Sequence, residues 1–241
     1  MSRMQQVSAW GTERLCAYLA GHPHVEVSSF CESAVSRMDW KQGNWSRVAH
    51  AGKPDLGENY GLIELMDNNP LVCADRASTP GAEATLALIA TGPLLRADLL
   101  TGNANLHYSW EGDFEETTIA LRRQSCTLAP QFSCEQGFAN NVAQISARLE
   151  VKPTTKGDLI ELFEEAYGRS FFVKHLPGEE FKTSVPIHTP NAIYSLEIPD
   201  SITVETLLVH VKADINGKCG AAQLVHLYNI MSGNEESLGL S

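Results

Sequence analysis

The side chains able to do chemistry in this 241-residue chain are scattered rather than grouped. Six cysteines, Cys16, Cys31, Cys73, Cys126, Cys134 and Cys219, are available as nucleophiles or metal ligands, but no two stand in a C-x-x-C spacing. That excludes the common zinc spacings and a dense disulfide framework, and leaves reduced thiols in a cytosolic or organellar interior as the expectation. His22 and His24 share the turn His22-Pro23-His24. A metal ion needs three or four convergent donors, and no acid or thiol cluster stands beside them in sequence, so solvent-facing rings and no metal are expected. His107, His188, His210 and His226 have no partner at useful spacing, and Asp55, Glu58, Glu115 and Glu116 form no acid/base pair. Arg122 and Arg123 could hold an anion, although adjacent arginines more often make a solvated face. Neither a G-x-S-x-G elbow nor a Walker phosphate loop occurs.

Bulk properties narrow the partners. A formal net charge of −11 argues against nucleic acid or an anionic membrane surface as the main partner. Hydrophobic content of 43% and charged content of 20% are ordinary for a globular chain long enough to build a sizeable core. No apolar run reaches the roughly 18 residues of a membrane span. The first residues, MSRMQQVSAW, lack the apolar centre of a secretory signal and are poor in arginine for a transit peptide.

The elements that would position these residues are unevenly legible. Residues 11–21 predict a short helix with Leu15, Cys16 and Leu19 on one face, and VEVSSF (25–30) an alternating strand. Residues 32–59, broken by Gly43, Gly52, Pro54 and Gly57, read as a long connection without a buried parallel strand. From Pro80 a helix is expected through Arg96. A turn is expected at Gly102–Asn105, then two short strands within 106–122. Residues 142–151 alternate, with Ile145, Ala147, Leu149 and Val151 on one side. Thr155 and Asp158 form a capping-box pattern ahead of a helical face of Leu159, Leu162, Phe163, Ala166 and Tyr167, ending at Gly168. Strands are expected at 171–176, 192–198 and 206–213, then a helix over 219–231 with Gly233 past its end.

Several blocks resemble the N-acetyl-γ-glutamyl-phosphate reductases, which group with the aspartate-semialdehyde dehydrogenases. Asp214-Ile-Asn-Gly-Lys-Cys-Gly-Ala-Ala-Gln223, continuing through LVHLYNIMSGNEESLGL, is similar to that family's C-terminal Lys-Gly-Ala-Ala-Gly-Gln helix, with Lys218, Ala221, Gln223, Asn229, Met231 and Gly233 matching. GTERLCAYLAGHPHVEV (11–27) is similar to its first helix and second strand, Tyr60-Gly-Leu-Ile-Glu-Leu65 to its Tyr-Gly-Leu-Pro-Glu-Leu, and DLIELFEEAYGRSFFVKHLP (158–177) to the start of its dimerisation region. Ser78-Thr-Pro-Gly-Ala-Glu-Ala-Thr resembles its active-site block Asn-Pro-Gly-Cys-Tyr-x-Thr.

The resemblance implies an α/β protein: a reduced remnant of a Rossmann-type nucleotide domain (1–75) and an α+β mixed-sheet dimerisation domain (76–241). It also implies losses. An acyl-phosphate reductase needs a thiolate, and the matching position is Ala82; Glu83 beside it and Cys73 upstream do not inherit the role. The family's His-Arg-His-Thr-Pro-Glu base segment corresponds to GDFEETTIALRRQSCTLAPQF (112–132), which has no histidine, and His107 lies out of register. A dinucleotide loop would need glycines where only Gly11 stands, after a segment whose one strand-like residue is Val7. Gly11 and Lys218 are the vestigial cofactor-binding candidates. The expectation is a pseudoenzyme, without cofactor or metal, acting as an accessory subunit that meets other protein subunits or its own copy through the C-terminal half. A mitochondrial matrix or other organelle interior is the implied location, with the cytosol as the alternative. The alternative functions are a regulatory paralogue of an active reductase, or an NADP(H)-binding enzyme or sensor with altered chemistry.

Overall fold

The computed structural model describes residues 4–66, 68–124, 129–135 and 141–240, and contains two mixed sheets. The first has the order β2-β1-β3-β4-β5 and is built from β1 (Gln5–Gly11), β2 (Val25–Glu32), β3 (Arg37–Gln42), β4 (Trp45–Ala51) and β5 (Arg76–Thr79). β1 and β2 pair in parallel around α1 (Glu13–Gly21), β3 runs antiparallel between β1 and β4, and β4 and β5 are parallel. Two expectations are thereby corrected. The segment 32–59 is not a connection but holds a β-hairpin, and the first sheet is not cut away but has five strands. The hairpin turns through Gly43-Asn44, with Gly43 at a φ of 63° that only a residue without Cβ adopts readily. One face of the hairpin carries Met38, Trp40 and Ala49 into the core, while Asp39, Lys41 and His50 lie on the other. β1 forms despite its polar look because Val7 and Ala9 alternate into the same core.

The second sheet has the order β7-β6-β8-β11-β10-β9 and is built from β6 (Leu100–Tyr108), β7 (Gln131–Cys134), β8 (Val142–Thr154), β9 (Val173–His175), β10 (Ala192–Glu197) and β11 (Val204–Asp214). The alternation expected over 142–151 is present: Ile145, Ala147, Leu149 and Val151 are buried. The expected turn at Gly102–Asn105 is instead the middle of β6, where a register shift between Leu100 and Ala104 absorbs the glycine. The two short strands expected within 106–122 are the end of β6 and a helix, α4 (Glu115–Arg123). Acids in its first turn, arginines in its last and buried Thr117, Ala120 and Leu121 on one face favour that helix.

Two long helices join the sheets. α3 (Ala82–Arg96) is buried on all sides from Ala84 to Leu95 and packs on β8, β11 and α4, as well as on α5 (Lys156–Tyr167). Pro93 inside α3 has no N–H to give the Ile89 carbonyl; the Tyr167 hydroxyl donates there instead at 3.1 Å, and to Leu88 at 3.3 Å. Burial raises the Tyr167 phenol well above its ordinary range, so it remains a donor. The capping box of Thr155 and Asp158 opens α5 as expected.

α7 (Ala221–Ser232) returns from the second sheet to cover the first, against α1 and the short α2 (Asn68–Cys73). α6 (Gly178–Thr183) lies on the far face of the second sheet, Phe181 covering His210 and Lys212. The boundary expected at 75/76 falls immediately before β5, which belongs to the first sheet, as does the core beneath α7. No helix among the described residues is long and apolar enough to cross a membrane.

Candidate functional site

Because β3 alone is reversed in the first sheet, the carboxyl ends of β1, β2, β4 and β5 share one edge. Such an edge is where α/β sheets hold ligands, since loops diverge there and helix amino ends face the crevice. The edge carries a cavity of about 320 Å³, walled by Thr12, Ser36, Gly52, Gly81, Asn216 and Cys219 among others. Thr12 begins α1 and Gly81 begins α3. Gly11, the glycine expected to be vestigial, ends β1; a Cβ there would stand 2.8 Å from Leu15 Cδ2, so its structural effect is to let α1 lie close to the strand.

Ala82, at the position that the resemblance gives the nucleophile, is the first residue of α3. Helix amino ends attract negative charge, and this one has a carboxylate from its own chain. Glu116 Oε1 accepts the Gly81 N–H at 2.9 Å and the Tyr60 hydroxyl at 2.7 Å. Burial and the neighbouring Glu116 carboxylate push the Tyr60 phenol far upward, so it is the donor. Nothing in the sequence singled out Glu116 from Glu115, because only the fold brings α4 against residue 81. Glu83 faces away from this carboxylate and accepts the Trp110 indole N–H at 2.9 Å.

One described thiol, Cys219, is on the cavity wall. Burial, with Glu83 nearby, pushes it far above the ordinary thiol range, so it is held as a neutral thiol and is a poor nucleophile. Cys73 is exposed at the end of α2, and Cys126 lies outside the described residues.

Lys218, the other cofactor-binding candidate, does not face the cavity. It is buried, with Nζ 2.6 Å from Glu64 Oε1, and Ser170 Oγ donates to the same oxygen at 3.2 Å. Burial opposes ionisation of Glu64, but Lys218, His226 and hydrogen bonds outweigh it and hold the carboxyl below its ordinary value. Two blocks of the resemblance, at Tyr60–Leu65 and at Asp214–Gln223, therefore meet as one ion pair.

The remaining candidates are structural by geometry. His22 is not solvent-facing: it is buried, Nδ1 accepts the His24 N–H at 3.2 Å, and Nε2 is therefore protonated and donates to Asn229 Oδ1 at 2.9 Å. Asn229 Nδ2 in turn donates to the carbonyls of Glu236 and Leu238, so the histidine turn and the C-terminal segment are tied to α7. His226 is buried beside Glu236 at 2.9 Å, and burial lowers the pKa of both His22 and His226. His107 and His210 bond Ser133 and Ser146 on the outer face of the second sheet, where Phe181 of α6 lies over His210, while His188 sits in a loop with its N–H on Asp214. Asp55 and Glu58 lie in the 3-10 turn Pro54–Asn59. Arg122 and Arg123 are exposed, Arg123 lying 5.7 Å from the Tyr60 ring centre. No group of three or more metal-ligating side chains occurs among the described residues.

The N-acetyl-gamma-glutamyl-phosphate reductase of Acaryochloris marina is 25% identical to this chain over 215 residues, covering 75% of the chain and 60% of that protein. The chain is similar in sequence to this reductase. The fold agrees. Aspartate semialdehyde dehydrogenase II from Vibrio cholerae, solved in complex with ASA, superposes with a TM-score of 0.63 at 8% identity, over 95% of this chain and 98% of that one. The Francisella tularensis aspartate semialdehyde dehydrogenase superposes with a TM-score of 0.57 at 9% identity, over 74% of this chain and 72% of that one. The chain spans 60% of the length of its reductase relative. No protein-family model matches it.

Proposed function

We propose that this chain is a catalytically inactive, reductase-like protein that serves as an accessory or structural subunit of a larger assembly, in an organelle interior such as the mitochondrial matrix. The observation that carries this reading is Ala82 at the head of α3: a methyl group stands where the related enzymes require a thiolate. The arrangement around it supports the same reading, since Glu116 occupies the amino end of the helix and the thiol on the cavity wall, Cys219, is kept neutral. The second sheet would supply the subunit contacts through the part of its outer face that α6 leaves uncovered, around His107 and Ser146, which stand opposite each other on β6 and β8. Native mass measurement of the protein purified from its source cells tests the assembly. A stable complex containing other polypeptides is expected, and a lone, freely soluble monomer would overturn it.

A second reading rests on the strand-end cavity. Its place at the heads of α1 and α3 suits a nucleotide, so a NADP(H)-binding sensor or a regulatory paralogue of an active reductase remains the alternative function. Titration with NADPH separates the two readings. The structural-subunit reading predicts no saturable binding at micromolar concentrations, whereas the sensor reading predicts it.

A further inference from the structure

We propose that the outer face of the first sheet is a docking face for a second copy of this chain, and that the second copy presents its helix α5 there. Helices cover the inner side of the sheet. There α1, α2 and α7 share one core with Val7, Met38, Trp40 and Ala49, while Gln6, Ser8 and Lys41 on the opposite side are half-buried or exposed. Sheets built on parallel strand pairs usually have both faces covered, and β1–β2 and β4–β5 are such pairs. The outer face also holds a cavity of about 690 Å³, lined by those three residues with Met4, Ser46 and Val48 among others.

Charge decides what fits. In a chain of net charge −11, this face gathers cations. Among the described residues neither Lys41 nor Arg76 makes an ion pair, and Arg76 stands beside Val48 on the neighbouring strand. The carboxylates on the face are already engaged: Asp39 holds Arg37 at 2.5 Å, and Gln6 donates to Glu26 at 2.7 Å. Burial, together with Arg37, Lys53 and Arg76 set against the one carboxylate Asp39, lowers the pKa of His50 on the same face. A cationic face repels its own copy, so a two-fold, face-to-face pairing is disfavoured and the complement is an anionic surface. The helix α5 carries one. Its exposed stripe is Ile160, Glu161, Glu164 and Glu165, at positions i, i+1, i+4 and i+5 of one helical side. Glu165 shares a cavity with Arg96, but Glu161 and Glu164 make no ion pair among the described residues. Ile160 is 45% exposed and gives the stripe an aliphatic contact for Val48 and Met4. The acids of α4 are followed by Arg122 and Arg123, and Glu179 of α6 is paired with Lys182. The contact is therefore head-to-tail, each copy giving its basic face to one neighbour and α5 to the other. A helix of 12 residues, about 18 Å long, covers well under the roughly 800 Å² per partner of a standard interface, so the association is weak and reversible. It involves the first sheet and α5, and stands whether or not the second sheet meets other subunits.

Sedimentation velocity of the purified full chain over a concentration series, at about 50 mM and about 500 mM salt, tests this. The mean sedimentation coefficient is expected to rise with concentration without levelling at a dimer, and to rise less in high salt. Lys41→Glu with Arg76→Glu should weaken the association at least about tenfold, and so should Glu161→Lys with Glu164→Lys. Mixing the two double variants should restore it, because each then offers the surface that the other lacks. An unmodified protein that does not associate overturns the proposal. So does association that either reversal leaves unchanged, or a mixture that associates no better than its components. All four positions are exposed; should the first reversal fail to fold, Lys41→Gln with Arg76→Gln is judged by the same loss.

Discussion

Lys218→Met removes one charge from an ion pair that water does not reach. The side chains of Lys218 and Glu64 are 1% and 5% exposed, and the ammonium is the main compensation for a buried carboxylate. Methionine keeps most of the volume, so the loss is electrostatic and not a cavity. Breaking a buried pair from one side costs about 3–5 kcal/mol, because the remaining charge is left uncompensated. For a chain of this size each kcal/mol lowers Tm by roughly 2–4 °C, so a fall of roughly 6–20 °C is expected. Glu64→Gln together with Lys218→Met removes both charges while leaving an acceptor for Ser170, and should recover about half of the loss or more. The single variant has a further signature. Without its cation, Glu64 rises in pKa, so the deficit against the unmodified protein narrows as pH falls. Urea unfolding followed by circular dichroism, at neutral and mildly acidic pH, reads all three quantities. A single variant that loses less than about 1 kcal/mol, or a double variant no better than the single, would refute the reasoning.

Tyr167→Phe leaves the Ile89 carbonyl without the donor that replaces the missing N–H of Pro93, and should cost about 1–3 kcal/mol in urea unfolding; an unchanged midpoint would show that this carbonyl has another partner. Acid should destabilise the protein before Glu64 titrates. His22 and His226 are held neutral by burial, so the unfolded chain takes protons first: stability is complete above the ordinary histidine value of 6.5 and is lost as pH falls from there towards the lowered folded-state values. Glu64 adds to the loss only below its ordinary 4.5. Calorimetric Tm values across this range check the order, and a Tm that rises between about pH 7 and 5 would contradict it.

How far the fold was legible depended on whether local signals were read together. The Thr155/Asp158 box, the alternation of β8 and the start of α3 at the Pro80-Gly81 turn are each encoded within a few residues. The hairpin β3–β4 was also encoded, by the two-residue Gly43-Asn44 loop and the alternation of Met38 and Trp40. It was masked because Arg37, Asp39, Lys41 and Arg47 make the strands look polar, and Arg47 is buried, its guanidinium on the carbonyls of Met231 and Val72. α4 was misread because Thr117 and Thr118 suggest a strand, while its paired acids and paired arginines at opposite ends suit a helix. At the head of α3 the sequence singles out Ala82 and none of the groups that surround it. Glu116 meets Gly81 across 35 residues and Lys218 meets Glu64 across 154, and no local pattern carries a contact that the tertiary fold creates. The His22 turn was read as exposed because its partner, Asn229, lies 207 residues away.

Under the proposed function the chain performs no reductase chemistry, and the loss belongs to the whole site and not to residue 82 alone. NADPH-dependent turnover of an acyl-phosphate substrate, followed at the nicotinamide absorbance for the unmodified protein and for Ala82→Cys, tests it most directly. The account predicts that neither protein consumes NADPH above the protein-free rate, since restoring a thiol supplies no base and leaves the Glu116 carboxylate at the amino end of α3. Substrate-dependent NADPH consumption by either protein would contradict it.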